Sequence, residues 1–492
     1  MKSEKNQKAK KHEAGTGYRI LGAVYIVAAV AFLISVFMVG ILPVAYFAGV
    51  AVLIAVISIP VLKGLFSRKS SKSKGKDGET SGKSGGRTLA SIVAVLMILL
   101  CGAGTYYMAS TMNFFGKISD DVQTHDFYVV VRDDSSFERL KDIDGKTVDI
   151  MNDSSKAYAE AQELLAEKVD VKFRESGGFD QVAKALIDGK TDVIFINSGF
   201  YDMAVDEVEG FTRDNTRILY HIKVDVEASG NSKKINVTED PFSVYVSGID
   251  TRGSIGNISR TDVNMVMTVN PKTKTILLTS IPRDYYVKFA SYGEMDKLTH
   301  SGLYGIDETV ATVENLLETE INYNLKVNFT TVEKLVDELG GITVNSDYSF
   351  SAGGFNYVEG ENFLDGAQAL AFARERYSFS SGDNQRVKNQ QAVISGIIDK
   401  CTSSTSILTN YTGILSSVKD NMQTSMSQKE IKSLVKMQLA DMDGWTIRKQ
   451  SLTGSGLMTP VYSMPNSSVY VMVPDQASVD SAKEQIAEIM GR

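Results

Sequence analysis

Two long stretches without a charged residue constrain the fold of this 492-residue chain more than any other feature of its sequence. The first lies between Arg19 and Lys63, and the second runs from Thr88 to Gly116. A single helix over the first stretch would be about 65 Å long, roughly twice the hydrocarbon thickness of a bilayer. The first stretch must therefore turn, and Gly40 is a suitable place. We predict three membrane spans, at about residues 20–38, 42–59 and 89–108.

Basic residues flank these spans on one side of the membrane. Residues 1–17 carry five Lys against two Glu, and residues 67–87 carry seven basic against two acidic residues. Such flanks stay in the cytoplasm, so everything after the third span is predicted to lie outside the cell. A cleaved signal peptide fits poorly, because three apolar runs follow one another. The sequence thus predicts a multi-pass membrane anchor, residues 1–116, with an extracellular C-terminal part.

The charge of this extracellular part excludes one class of partner. Residues 88–492 contain 38 basic and 55 acidic residues. Nucleic-acid binding needs a broad basic surface, so no nucleic-acid partner is predicted. Where cations nevertheless cluster in such an acidic domain, they indicate a site for a specific anion.

Residues 117–230 alternate between strand-like and helix-like segments. The runs "DFYVVVRD" and "DVIFIN" are typical of strands, and "FDQVAKALIDG" is typical of a helix that ends at a glycine. This alternation predicts a small parallel α/β domain, here called the accessory domain. It resembles one lobe of a periplasmic solute-binding protein, and those proteins bind between two lobes. Because only about one lobe is present, we interpret the domain as a spacer or docking module.

The next segment contains a predicted β-hairpin with a definite register. Around the turn "NPKTK", Asn270 is expected to pair with Thr275. In that register, Asp262 faces Arg283 at the open end of the hairpin. Asp250 follows a strand predicted to run parallel to the second hairpin strand, so it reaches the same end. Active sites of α/β folds lie at such carboxyl edges of buried sheets.

The stretch "ARERYSFSSGDNQRVKNQQ" gathers cations around a predicted helix N-terminus at Asp383. Arg374 and Arg376 precede the helix, and Arg386 and Gln390 share one of its faces with Asp383. Guanidinium groups at a helix N-terminus favour a phosphate or pyrophosphate ligand. The alternative is that these arginines pair with surface carboxylates.

The motifs "GIDTR", "SRTDV", "IPRD" and "ARERYSFSSGDNQRVKNQQ" resemble, in order and spacing, those of the LytR-CpsA-Psr family. The resemblance covers about Pro241–Lys400, and the three-span anchor with its accessory domain is similar to streptococcal capsule-type members. It implies an α-β-α LCP domain with a central mixed sheet at residues 241–401. Residues 402–492 are predicted to form a C-terminal α/β extension that packs on the LCP domain.

This resemblance implies a transferase of Gram-positive cell-wall biogenesis. Such an enzyme attaches an undecaprenyl diphosphate-linked glycopolymer, capsular polysaccharide or teichoic acid, to peptidoglycan. By the motifs, Asp250 and Asp262 would hold Mg²⁺, with Mn²⁺ as the alternative. The implied catalytic residues, of which the arginines and Gln390 would bind the pyrophosphate, are Arg260, Asp262, Arg283, Arg374, Arg376, Asp383, Arg386 and Gln390.

Two other functions stay open on the sequence alone. A lipid-diphosphate phosphatase or pyrophosphatase would use the same residues with water as the acceptor. A non-catalytic regulator would bind a wall precursor without turnover. If Asp250 and Asp262 repel each other at an empty metal site, replacing Asp262 by Ala is expected to leave the stability intact or to raise it.

Overall fold

The computed structural model describes residues 2–66, 85–118, 122–227, 235–249, 255–380, 382–403, 414, 417–418 and 421–492. The chain divides into two compact units. The first comprises residues 1–116 and 431–442, and the second comprises residues 117–430 and 443–492.

The first unit contains three long helices, α1 (Lys2–Val39), α2 (Val44–Phe66) and α3 (Gly85–Ile118). Gly40 has a φ of +69° between α1 and α2, a backbone conformation that glycine adopts without steric cost. In the described part of the chain, three segments are long and apolar enough to cross a membrane: Thr16–Val39, Val44–Phe66 and Gly86–Asn113. The predicted three apolar helices with a turn at Gly40 are confirmed, and each is long enough to span a membrane.

The accessory domain is built on a five-stranded sheet of order β3-β2-β4-β1-β5. Its strands are β1 (Val122–Arg132), β2 (Lys146–Ile150), β3 (Val171–Glu175), β4 (Ile194–Asn197) and β5 (Thr216–Glu227). A 3₁₀ turn at Leu140–Ile143 precedes β2. The helices are α4 (Lys156–Ala166), α5 (Phe179–Ile187) and α6 (Ser198–Glu207).

The direction of β1 departs from the predicted parallel sheet. Strands β2, β3 and β4 are parallel, as predicted. Strand β1 instead pairs antiparallel with β4 and, along its whole length, with β5, so the sheet is mixed. The expectation of a wholly parallel sheet is wrong in this respect. Apolar alternation determines which side chains are buried but carries no information on the direction of the neighbouring strand.

The LCP domain has a mixed six-stranded sheet of order β16-β11-β6-β7-β8-β17. Its strands are β6 (Phe242–Ile249), β7 (Val263–Asn270), β8 (Thr275–Ile281), β11 (Tyr323–Asn328), β16 (Met422–Thr424) and β17 (Thr446–Ser451). Strand β6 is parallel to β11 and β8 is parallel to β17, whereas β7 lies antiparallel between β6 and β8. Asn270 pairs with Thr275, so the predicted hairpin register is confirmed.

Four two-stranded sheets accompany the central sheet. Their strands are β9 (Tyr286–Lys288) with β10 (Met295–Lys297), β12 (Ile342–Ser346) with β15 (Gly360–Leu364), β13 (Phe350–Ala352) with β14 (Phe355–Tyr357), and β18 (Gly454–Val461) with β19 (Met464–Pro474). The helices of this part are α7 (Leu298–Ser301), α8 (Ile306–Leu317), α9 (Phe329–Glu338), α10 (Gly366–Arg374), α11 (Asp383–Ser403), α12 (Gln428–Asp441) and α13 (Gln476–Met490).

Helices from distant parts of the sequence cover the central sheet. The apolar side of α13 joins the same core as Tyr245 and Val266 of β6 and β7. On α11, Gln391 donates hydrogen bonds to the backbone carbonyls of Leu278 (3.4 Å) and Gln450 (2.6 Å), which ties the helix to β8 and β17. The C-terminal extension therefore completes the LCP domain, and the predicted mixed α/β fold class is confirmed.

Candidate functional site

The strands of the central sheet bring two of the predicted site residues together. Asp262 immediately precedes β7 and Arg283 closely follows β8, so the antiparallel pairing places both at one edge of the sheet. Nη1 of Arg283 lies 2.6 Å from Oδ1 of Asp262, with the two side chains 29% and 19% exposed. This edge is also where the parallel strands β6 and β11 end. It is the carboxyl edge at which α/β folds place their active sites.

The backbone at this edge is held by several hydrogen bonds. The amide of Asp262 donates to the carbonyl of Gly248 at 3.0 Å, and the amide of Thr299 donates to the carbonyl of Arg283 at 2.8 Å. Asp284 lies 3.5 Å from Nε of Arg283. Burial alone would lower the pKa of Arg283, but the carboxylates of Asp284 and Asp262 outweigh burial and raise it above its usual value. Arg283 therefore stays a fixed cation.

The N-terminal turn of α11 adds a second arginine to the same site. Arg386 forms an ion pair with Asp383, three residues earlier on the helix. Burial lowers the pKa of Arg386, and Arg283 and Arg376 act in the same direction, against Asp383 and Asp262. These mutual electrostatic effects show that the five charged groups share one site. Among the described residues, Nε of Arg386 is buried and has no hydrogen-bond partner.

Arg374 is the last residue of α10 and Arg376 follows it closely; of the two, Arg376 acts electrostatically on Arg386. The guanidinium of Arg374 lies 5.3 Å from the ring centroid of Phe329, the first residue of α9 after β11. The guanidinium of Arg376 stacks on Tyr377 at 4.7 Å from the ring centroid. Stacking on an aromatic ring orients a guanidinium, and Nη2 of Arg376 also donates to the hydroxyl of Tyr377 at 2.5 Å.

The remaining predicted site residues have different positions. Gln390 is buried on α11. Arg260 does not join the cluster: its guanidinium pairs with Asp206 (3.1 Å) and Glu207 (3.3 Å) at the end of α6. Asp250 lies outside the described residues. The roles of these three side chains toward a substrate stay predictions.

Tyr470 is a site neighbour that the sequence pattern does not reveal. The amide of Met472 on β19 donates to the carbonyl of Asp284 at 2.7 Å, which brings β19 to the site. Burial raises the pKa of Tyr470, and the carboxylates of Asp284 and Asp383 raise it further. Its side chain is 45% exposed. No motif marks this strand, which follows Arg283 by nearly 190 residues in the sequence.

Asp262 is the described carboxylate that would hold the implied divalent cation, and it already has a partner. Oδ1 of Asp262 accepts a hydrogen bond from Nη1 of Arg283. In the described ranges, no group of three or more His, Cys, Asp or Glu side chains could hold a metal. Mg²⁺ usually binds through one or two carboxylates and takes its other ligands from phosphates and water. Asp262 therefore suits a Mg²⁺ that takes most of its ligands from a diphosphate. The described residues do not suit a Mg²⁺ held mainly by protein side chains.

This arrangement is suited to an anion that carries several negative oxygens. Arg283 and Arg386 are close enough for Arg283 to lower the pKa of Arg386, and the buried Nε of Arg386 has no hydrogen-bond partner among the described residues. Clustering of cations is unfavourable unless a counter-charge arrives. A phosphate or diphosphate supplies both the charge and the oxygen acceptors.

Comparison with known proteins identifies the domain. The profile of the LytR_cpsA_psr family matches residues 208–488, more than half of the chain. The chain belongs to the LytR-CpsA-Psr family. The matched range extends beyond Pro241–Lys400 and takes in the C-terminal extension. A second profile, described as an ABC transporter, phosphonate, periplasmic substrate-binding protein, matches residues 98–229, which include most of the accessory domain.

Several curated relatives in the LytR-CpsA-Psr family are named polyisoprenyl-teichoic acid–peptidoglycan teichoic acid transferase TagU. The protein of Bacillus subtilis is 43% identical over 206 residues, which are 42% of this chain and 64% of that protein. The protein of Bacillus licheniformis is 42% identical over 189 residues, 38% of this chain and 61% of the relative. The protein of Enterococcus faecalis is 38% identical over 236 residues, 47% of this chain and 77% of the relative. The first two matches thus span less than two thirds of each relative.

Among solved structures, the crystal structure of Bacillus subtilis TagU is 34% identical. It covers 52% of this chain and 98% of its own, with a TM-score of 0.41.

Proposed function

We propose that this protein is a membrane-anchored transferase that moves a glycopolymer from an undecaprenyl diphosphate carrier to peptidoglycan. The polymer would be a teichoic acid or a capsular polysaccharide, and the acceptor a muramic acid hydroxyl. The names of the relatives, which cite a polyisoprenyl-linked teichoic acid and peptidoglycan, support this proposal.

One observation carries the proposal: Arg283 and Arg386 converge beside Asp262, and the buried Nε of Arg386 has no hydrogen-bond partner among the described residues. Phosphoryl transfer needs mainly charge neutralisation and alignment. Arginines in fixed positions supply both, because the guanidinium fork can bind two phosphate oxygens at once.

The proposed reaction is a displacement at the phosphorus next to the sugar. The acceptor hydroxyl oxygen forms a new P–O bond and releases its proton to water. The bond from this phosphorus to the bridging oxygen breaks, and the electron pair leaves with undecaprenyl phosphate. The products are a sugar phosphodiester on peptidoglycan and the free lipid phosphate.

We further propose Mg²⁺, or Mn²⁺, as the cofactor, held by Asp262 together with Asp250. When bound, the ion would neutralise negative charge on the diphosphate. Arg283 would keep Asp262 in place through their 2.6 Å ion pair.

The proposed location follows from the charges around the anchor. The N-terminus and residues 67–87 would lie in the cytoplasm, and the LCP domain would face the wall, where its acceptor is. The three apolar helices support a membrane anchor.

The test uses the full-length protein in nanodiscs with an undecaprenyl diphosphate-linked glycopolymer and soluble peptidoglycan strands. Release of undecaprenyl phosphate and polymer attached to the strands are both measured. We expect both, and Arg386→Ala should lower both by about 10²-fold, as for loss of one transition-state donor. Arg448→Ala is the matched control, because Arg448 of the same domain pairs with Glu488 at 2.9 Å.

The alternatives give different results in the same assay. Release of lipid phosphate without polymer on the strands would identify a phosphatase. Lipid binding without release would identify a non-catalytic regulator.

A further inference from the structure

The accessory domain contacts residues 255–262, here called the β6–β7 connection, which lead into β7 and include Arg260 and Asp262. The amide of Thr124 on β1 donates to the carbonyl of Gly256 at 3.2 Å, and Thr124 forms a parallel bridge with Asn257. On the opposite side of the same backbone, Nζ of Lys326 donates to the carbonyl of Asn257 at 2.5 Å. Near the start of β1, where β4 no longer pairs with it, the accessory sheet thus pairs with the backbone of the LCP domain.

Lys326 is a costly residue at this junction. Lys326 on β11 is only partly exposed, and desolvation of its ammonium group lowers its pKa to about 8. Burying a lysine to bind one carbonyl oxygen is unfavourable unless the position of that carbonyl matters.

Arg260 forms a second link at the other end of the connection. Both of its terminal nitrogens contact carboxylates of α6, Nη2 with Asp206 at 3.1 Å and Nη1 with Glu207 at 3.3 Å. The neighbouring amide of Thr261 donates to the carbonyl of Thr299 at 3.2 Å, and Asp262 follows directly. Only Thr261 separates Arg260 from Asp262, whose carboxylate pairs with Arg283.

The sheet edge at which an α/β lobe would take up a ligand is occupied by the LCP domain. Asp153, just after β2, accepts a hydrogen bond from the hydroxyl of Tyr292 at 2.9 Å, and partial burial raises its pKa. The carbonyl of Asn152 accepts from the hydroxyl of Tyr462 at 2.6 Å. At the end of β4, Nδ2 of Asn197 donates to the carbonyl of Leu303 at 3.2 Å.

We propose that the accessory domain positions the β6–β7 connection of the active site, with Asp206 and Glu207 as positioning residues that hold Arg260. It docks on the LCP domain with the edge that would otherwise receive a solute. The effect on turnover rests on the proposed transferase function, whereas the effect on the connection itself does not.

The experiment measures hydrogen exchange and turnover on the full-length protein in nanodiscs. The double variant Asp206→Asn/Glu207→Gln removes both carboxylate charges at nearly unchanged volume. Asp202→Asn is the matched control, because Asp202 lies on the same helix and pairs instead with Arg213 at 2.7 Å. Thr124, Thr261 and Asp262 are the reporter amides, since their hydrogen bonds fix the connection.

Removing both carboxylates should speed hydrogen exchange at these three amides about fivefold. This factor corresponds to the largest contribution that a solvent-accessible ion pair usually makes to stability. The melting temperature should not change, and kcat for release of undecaprenyl phosphate should fall by a similar factor with KM unchanged. Arg260→Gln should reproduce these effects, and combining it with the double variant should add nothing further. Asp202→Asn should behave as wild type.

Unchanged exchange at the three amides would overturn the proposal. So would a rise in turnover in the double variant, because the carboxylates would then compete with pyrophosphate for Arg260. The proposal would also be overturned if the losses of turnover from Arg260→Gln and from the double variant were additive. If the wild-type protein shows no turnover, the transferase function fails, and the exchange rates still decide whether the accessory domain holds the connection.

Discussion

At the scale of single residues, Arg386 best shows why this site needs an anion. It is buried, it lies near Arg283 and Arg376, and its pKa is lowered by burial together with these neighbours. Asp383 offsets part of this cost through their ion pair. A buried cation beside other cations is stable only if a counter-charge is within reach.

Replacing Arg374 and Arg386 should give non-additive losses of turnover. Both guanidinium groups would neutralise the same diphosphate, so Arg374→Ala combined with Arg386→Ala should lose less than the product of the single effects. Arg374→Lys should restore only part of the rate, because an ammonium cannot form the two-pronged hydrogen bond. The measurement is a double-mutant cycle on release of undecaprenyl phosphate. Single variants that keep the wild-type rate would mean that these arginines contribute to protein stability and not to turnover.

Asp262 has an ion-pair partner that changes the expected effect of its replacement on stability. The sequence alone suggested repulsion between two carboxylates, but in the structure Asp262 pairs with Arg283 at 2.6 Å. Asp262→Asn should therefore lower the free energy of unfolding by about 1–2 kcal/mol and abolish Mg²⁺-dependent turnover. Urea denaturation and the release assay measure the two effects. An increase in stability would favour the carboxylate-repulsion explanation instead.

At the scale of elements, α9 and α10 pack closely enough to determine where Arg374 lies. The amide of Gly366, the first residue of α10, donates to Oδ1 of Asp337 on α9 at 2.7 Å. Asp365 caps α10, and its partner Gln368 completes a capping box. Phe329 at the start of α9 lies below the guanidinium of Arg374. The two helices thus act together on one end of the site.

Gly366→Ala should separate these two helices. A Cβ at Gly366 would lie 2.1 Å from the carbonyl oxygen of Glu333, which is backbone and cannot move away cheaply. We expect a loss of about 1–3 kcal/mol in the free energy of unfolding, as for overpacking in a core, with reduced turnover because Arg374 moves. Chemical denaturation measures the first effect. Gly444→Ala is the control, since its Cβ would meet no atom within 4 Å, and equal stability of both variants would contradict the close packing.

At the scale of the whole molecule, the chain combines a membrane anchor with a second unit that contains both the accessory and LCP domains. The contacts between these two domains include backbone pairing, ion pairs and hydrogen bonds from tyrosine hydroxyls. For the proposed lipid-linked substrate, a membrane anchor would raise the effective concentration of the active site at the membrane.

Protease treatment of intact protoplasts should test the proposed orientation. The enzyme should remove everything after about residue 116 and spare residues 67–87, because the basic flanks keep that loop in the cytoplasm. Antibodies against tags in the two regions would follow the fragments. Lysed protoplasts are the control, in which residues 67–87 should also be cleaved. Cleavage confined to residues 67–87 in intact protoplasts would reverse the orientation.

Local features of this chain could be predicted from its sequence. The absence of charge between Arg19 and Lys63 predicted two helices, because a charged side chain in hydrocarbon is costly. Pairing of Asn270 with Thr275 determined that Asp262 faces Arg283, because a hairpin register propagates from its turn. The arginines around Asp383 could be found because they lie close together in sequence.

Only the tertiary structure decided three other features. Each of them depends on segments that lie far apart in the chain. They are the direction of β1, the pairing of Arg260 with Asp206 and Glu207, and the approach of Tyr470 to Asp284. Periodicity and propensity describe neighbours in sequence, whereas these contacts depend on how whole elements pack. Arg260 illustrates the difference, since its motif predicts an anion ligand and only its surroundings place two carboxylates beside it.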